Sequence, residues 1–260
     1  MSKYKLIGVG NNAKTIKGDG SEYLTAILYL LPDDFLCPMA TMAGCKLPCL
    51  NTAGRGAFNN VQAARHRKSK LLLQMPEEFD ALLRKDLDKF QKYCERKGIQ
   101  PVVRLNGTSD YNWKDIIVDY PAIQFYDYTK VYNRVAKNWP SNYHLTLSYS
   151  EVNDTYRDNV VRYANDYGAN IAVVFRDKNN IPKEFLGRKV IDGDADDLRF
   201  SRMSTKDRNY IEEDCHICGD VAILIERDKL YCPKCYLKRE EMLHDERMGK
   251  DRRARDKRMV

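Results

Sequence analysis

Three cysteines, Cys37, Cys45 and Cys49, fall within the short stretch "DDFLCPMATMAGCKLPCLNTAGRG" (33–56), separated by seven and then three residues. Gathered thiols point to a metal. Zinc in a closed site takes four ligands, so a zinc reading needs a fourth from Cys94, His66 or an acid elsewhere. A four-iron cluster normally takes four thiolates, so three would leave one iron open to an outside ligand. The residues that follow, among them Asn51, Gly54 and Arg55, open a helical pattern. Glycines there let backbone N–H groups approach an anionic ligand closely.

A second set is more regular. "CHICGDVAILIERDKLYCPKC" is CxxC, thirteen residues, CxxC, formed by Cys215, Cys218, Cys232 and Cys235. Two such knuckles supply a tetrahedral four-thiolate Zn²⁺ site with no open position, so the expected role is structural. "VAILIERDKLYC" between them reads as two short strands joined at "RDK". Behind this zinc ribbon, "YLKREEMLHDERMGKDRRARDKRMV" reads as a charged helical tail, suited to nucleic-acid or protein contact.

The frame that must hold these groups follows from patterning. The chain has 260 residues, 43% hydrophobic and 10% aromatic, enough for a packed core. No window comes near the roughly eighteen uninterrupted apolar residues of a bilayer span, so no membrane partner is expected. "MSKYKLIGVGNN" is too brief an apolar run for a signal peptide. Metal-type spacing among the eight cysteines fits a reducing cytoplasm better than a disulfide framework does. The lone Cys94, inside a helical pattern, reads as a small buried hydrophobe. The net charge of +7 is interspersed with acids, so no clean basic face is visible.

Strand patterns fall at 22–32, 101–107, 122–128, 143–150, 170–176 and 189–194. Helical patterns fall at 57–74, 77–98, 129–139 and 154–168. In the second helix Phe79, Leu82, Leu83, Leu87, Phe90 and Tyr93/Cys94 recur at three and four residues, with Gly98 as a stop. Strands alternating with helices predict an α/β fold, a partial (β/α)6 TIM-like barrel of mostly parallel strands over 1–204. The zinc ribbon and tail occupy 205–260.

Nearly every strand pattern ends in a polar cluster: Arg104, Asn106, Thr108 and Asp110; Asp127 and Lys130; Ser148, Ser150 and Glu151; Arg176; then Asp192, Asp194, Asp197 and Arg199. Parallel strands share one carboxyl edge, so these groups should converge on one mouth, where active sites of such barrels sit.

Three thiolates after the first strand of a parallel half-barrel resemble the arrangement of radical S-adenosylmethionine enzymes, although the usual spacing there is three and then two residues. That resemblance implies a [4Fe-4S] cluster on Cys37, Cys45 and Cys49, whose open iron is chelated by S-adenosylmethionine and whose electron splits the sulfonium to a 5′-deoxyadenosyl radical. It assigns Asn51, Gly54, Arg55, Thr108, Ser148, Ser150 and Arg199 to cofactor binding. Arg104, Asn106, Asp110, Asp127, Lys130, Glu151, Asp192 and Asp194 are assigned to catalysis on a substrate left open, with nucleotide or nucleic acid as candidates. A second resemblance is carried by "GNNAKTIKGDGSEYLTAILYLLP", "CLNTAGRGAFNNVQAAR", "VVRLNGTSD", "FYDYTK", "NYHLTLSYSE" and "VIDGDADDLRF". In that order, over 10–200, they resemble the phage gene product 88 family, with the zinc ribbon outside the match. Two other readings stand beside the enzyme. One is a non-catalytic zinc protein that binds nucleic acid through the ribbon and basic tail. The other is a metal-dependent hydrolase using Asp127, Asp192, Asp194 and Asp197.

Overall fold

The computed structural model describes residues 5–10, 22–46, 49–177, 180–191, 193 and 198, and the strand backbone of 224–226 and 229–231. Six strands make one sheet in the order of the chain. They are β1 (Ile7–Val9), β2 (Tyr23–Leu28), β3 (Gln100–Arg104), β4 (Gln124–Thr129), β5 (Tyr143–Ser148) and β6 (Asn170–Ala172). From β2 to β6 every neighbour is parallel, and β1 is antiparallel to β2. Helices α1 (Asn59–Gln74) and α2 (Pro76–Lys97) connect β2 to β3. Helix α3 (Lys114–Asp119) connects β3 to β4, and α4 (Asp154–Tyr167) connects β5 to β6.

Helix α2 shows why these elements form. Pro76 sits in its first turn with Glu77 and Glu78 beside the positive dipole end, and Gly98 stops it in the left-handed conformation at φ 65°. Its Phe79, Leu83, Leu87, Phe90 and Cys94 are buried as one stripe. Each large member contributes about 1.5–3 kcal/mol by leaving water.

Parallel strands in sequential order need a crossover each, and right-handed crossovers put every helix on one side. The packing agrees. Register aligns Ala26 with Val103, Val103 with Phe125, and Phe125 with Tyr143. These side chains share a core with the α2 stripe and with Ile116 and Ile117 of α3. Leu147 of β5 packs with Tyr156, Val160 and Ala164 of α4. Alternation then sends Thr25, Ile27, Val102, Arg104, Tyr126, Tyr128, His144 and Ser148 to the opposite face of the sheet. That face mixes polar, aromatic and aliphatic side chains.

The six strands are not the six expected. β1 takes the extra place at an edge, and the described residues of the strand expected at 189–194 do not join the sheet. Instead Arg188–Lys189 pairs with Glu184–Phe185 in a small hairpin, β7 and β8. β1 pairs with β2 and buries Leu6 and Ile7 in the core, and charge clasps its start: Leu6 N–H donates to Asp86 Oδ2 (2.6 Å), and Lys68 Nζ donates to the Leu6 carbonyl (2.6 Å). The helix expected over 129–139 is only a 3-10 turn, Tyr132–Ala136. Helix α3 carries no periodic stripe long enough to announce itself.

The chain divides into two compact units, Met1–Asp197 and Leu198–Val260. In the second, strands β9 (Leu224–Glu226) and β10 (Lys229–Tyr231) pair antiparallel, the hairpin expected between the two CxxC pairs. Cys215, Cys218, Cys232 and Cys235 lie outside the described residues. Among the described residues no helix is long and apolar enough to cross a membrane.

Candidate functional site at the carboxyl edge of the sheet

Strands β2 to β5 release their loops on one edge, and those loops are cross-linked. Asn106, just past β3, is 1% exposed and committed on every side. Its backbone N–H donates to Asp127 Oδ1 (2.8 Å), and its Nδ2 donates to Asp127 Oδ2 (3.1 Å) and the Tyr111 carbonyl (3.1 Å). Its Oδ1 accepts from Ser109 Oγ, the Tyr111 N–H and Trp113 Nε1. Asp127 also accepts from the Tyr143 hydroxyl (3.1 Å). Burial pushes the Asp127 carboxyl up to about 6, against the opposing pull of Arg104 and these hydrogen bonds.

Asp110 stitches three loops together. Its N–H donates to the Leu36 carbonyl (2.7 Å) in the loop after β2. Its carboxylate accepts from Thr129 Oγ1 (2.8 Å), the Lys130 N–H (2.7 Å) and Arg134 Nη1 (2.6 Å) beyond β4. Burial raises its pKa, and Arg134 and the hydrogen bonds work against that rise. Thr108 Oγ1 donates to the Leu30 carbonyl (2.6 Å), and the Gly107 N–H to the Leu28 carbonyl (3.0 Å). A Cβ at Gly107 would stand 2.6 Å from Tyr29 Cδ1 and 2.7 Å from the Leu28 carbonyl oxygen, so only glycine lets these loops meet.

The thiols sit in the first of those loops. Cys37 Sγ leans on the Thr108 carbonyl (3.8 Å), and Cys49 Sγ accepts the Asn51 N–H (3.4 Å). Cys45 packs against the core beneath α4. Burial, then Asp110, Cys49 and Cys45, push the Cys37 thiol up to about 12. Burial also raises Cys45, where Lys130 acts in the opposite direction and Cys49 adds to the rise. Among the described residues no disulfide joins any of the cysteines. Cations flank the trio. Cys45 and Asp110 hold up a Lys130 pKa that burial lowers, and Arg65 lies within electrostatic range of Cys49.

Among the described residues, no group of three or more His, Cys, Asp or Glu side chains is assembled to hold a metal ion. The three thiols feel one another without converging on a point. As a donor set they fit a thiolate-bound metal or cluster in kind, three sulfurs of one loop, but the structure does not bring them to one point. Cys94 belongs to the helix-side core and His66 is exposed on α1, so neither stands with the trio as a fourth ligand.

The other expected residues divide into committed and accessible groups. Asn51 is buried, its Oδ1 accepting from Arg65 Nη1 (2.7 Å) and its Nδ2 donating to Gln62 (3.1 Å). Ser150 is buried, its Oγ accepting the Val152 N–H (3.4 Å), and the Ser148 carbonyl accepts from the Tyr156 hydroxyl (2.8 Å). Gly54, Arg55 and Glu151 are exposed, and Lys130 and Arg104 are partly exposed. Asp192, Asp194, Asp197 and Arg199 lie outside the described residues. Arg65, Arg134 and Tyr143 matter to the site without having been singled out from the sequence. Their partners, Asn51, Asp110 and Asp127, lie 14 to 24 residues away in sequence, so no local spacing marks them.

These features define an α/β protein with helices on one face of a mostly parallel sheet and its polar groups and thiols at the carboxyl edge. The chain belongs to the Gene product 88 family, whose model matches residues 5–221. The resemblance to that phage family therefore holds, with wider limits than expected. The match continues past 200 through Cys215 and Cys218, so the first half of the second cysteine set falls inside the family's extent. No curated protein and no solved structure matched the chain.

Proposed function

We propose that this phage protein is a radical-S-adenosylmethionine-like iron–sulfur enzyme built on a partial barrel, with a structural zinc ribbon at its carboxyl-terminal end. The observation that carries the reading is the placement of Cys37, Cys45 and Cys49 in the loop after the first parallel strand, on the edge where the polar strand ends meet. Those three cysteines would hold a [4Fe-4S] cluster. When bound, it supplies one-electron reduction of a sulfonium cofactor. This chain's own residues do the rest. Lys130 and Arg65 offset the negative charge of the thiolates, and Asp110 fixes the loops that carry them. Asn106 and Asp127 hold the pocket floor rather than meeting a ligand, since their bonds are already made within the protein. Of the other readings, the hydrolase is least supported, because Asp127 is committed to Asn106 and Tyr143.

The test is anaerobic purification with iron, sulfide and zinc counted per chain. About four irons and one zinc are expected. Replacing Cys37, Cys45 and Cys49 together with Ala should remove only the iron. Two zincs without iron would instead leave a metal-stapled binding protein.

A further inference from the structure

The sheet face opposite the helices carries a guanidinium with one donor left unused among the described residues. Arg104 lies across from Ile27 in the register of β2 and β3, on the face away from the helices. Its guanidinium carbon sits 5.0 Å over the Tyr128 ring. Its Nε is buried and has no hydrogen-bond partner. The acid within its electrostatic reach, Asp127, points to the other face and is taken by Asn106 and Tyr143. A buried donor left empty is costly unless something else uses it.

Arg65 repeats the arrangement in part, for its Nη1 is already given to the carbonyl and Oδ1 of Asn51. It is 8% exposed, its guanidinium lies 5.0 Å over the Tyr29 ring, and its Nε is likewise buried without a partner. Tyr29 lies within electrostatic reach of both arginines. Two guanidinium groups of fixed orientation thus flank one tyrosine at the mouth of the sheet. Guanidinium forks match phosphate bidentately, and two cations match the dianion of a phosphate monoester. Tyrosine and guanidinium planes also stack on nucleobases.

We propose that Arg104, with Arg65, receives the phosphate of a nucleoside 5′-phosphate whose base stacks among Tyr29, Tyr128 and the guanidinium planes. The inference rests on reading the carboxyl edge as a substrate pocket, and it supplies the substrate class. Arg104 is a binding residue and Tyr128 its positioning platform.

Titration calorimetry on the full chain, with adenosine 5′-monophosphate, uridine 5′-monophosphate and adenosine, tests it. At least one nucleotide should bind ten or more times tighter than adenosine. Arg104→Gln should remove that advantage without changing adenosine binding, and Arg104→Lys should restore only part of it. Equal binding of nucleotide and nucleoside, no nucleotide binding at all, or nucleotide binding untouched by Arg104→Gln would each overturn the proposal. So would an Arg104-dependent displacement by S-adenosylmethionine, which would give the cation to a cofactor carboxylate. Iron counted in the same anaerobic samples separates the two readings. Iron without nucleotide binding sinks this inference alone, and nucleotide binding without iron sinks the cluster alone.

Discussion

The Asp110 carboxylate and the Arg134 guanidinium form an ion pair of 2.6 Å with side chains only 7% and 8% exposed. Arg134 Nη2 also donates to the Asp110 carbonyl (2.7 Å), so one side chain grips both ends of one residue. Removing one partner of a buried pair strands the other, at a cost of about 3–5 kcal/mol. Asp110→Asn should therefore lower the urea midpoint by that equivalent, while Arg157→Ala, at an exposed pair, should change it little. A loss under about 1 kcal/mol for Asp110→Asn would show that the three loops do not depend on this residue.

Asp127 predicts an acid-side gain in stability. Its folded pKa, about 6, lies above the ordinary carboxyl value of 3.8, so the native state holds its proton more tightly than the unfolded chain. The contribution is fully present below pH about 4 and is lost as pH rises through about 6. The difference between Asp127→Asn and wild type should then shift by roughly 2–3 kcal/mol in favour of the variant between pH 4 and 7, at about 1.4 kcal/mol per pKa unit. Thermal melts of both proteins at matched pH measure it. A constant difference would mean that Asp127 stays ionised throughout.

Cys37 should be slow towards alkylating reagents in metal-free protein. With its thiol pushed up to about 12, only about one molecule in ten thousand is thiolate at pH 8. Mass spectrometry after brief iodoacetamide treatment should show Cys37 modification rising about tenfold per pH unit between 8 and 10. Modification that is already complete at pH 8 would contradict the electrostatic reading of the loop.

Arg104 should cost the fold something. Arg104→Leu removes a guanidinium whose buried Nε has no acceptor among the described residues, and apolar replacement of such a group is often neutral or stabilising. The variant is expected to melt a few degrees higher than wild type while losing nucleotide affinity. A clear drop in melting temperature would make Arg104 a structural residue.

Much of the frame was legible because it depends on period. The α2 stripe, the parallel strands at 100–104, 124–129 and 143–148, and the polar strand ends all follow from apolar spacing. What was missed depends on contacts distant in sequence. Asp86 and Lys68 clasp Leu6 at the start of β1 across 80 and 62 residues, which no local window reveals. The pattern at 129–139 has helical spacing, yet Asp110 captures the Lys130 and Val131 N–H groups and leaves only a 3-10 turn. Within the site, spacing identified the residues at the edge but not which would already be bonded. Asn106 and Arg104 look equally available in the sequence. Only alternation and register show that one is used up beneath the sheet edge while the other is left open on the far face.

The bonding of Asn106 has a consequence for inheritance. A single amide joins the side chains of Ser109, Trp113 and Asp127 and the backbone of Tyr111, so a change at Asn106 leaves the others with donors or acceptors pointing at nothing. Relatives of this chain should keep Asn106, Ser109, Trp113 and Asp127 together or replace them together, and piecemeal drift through this turn should be rare.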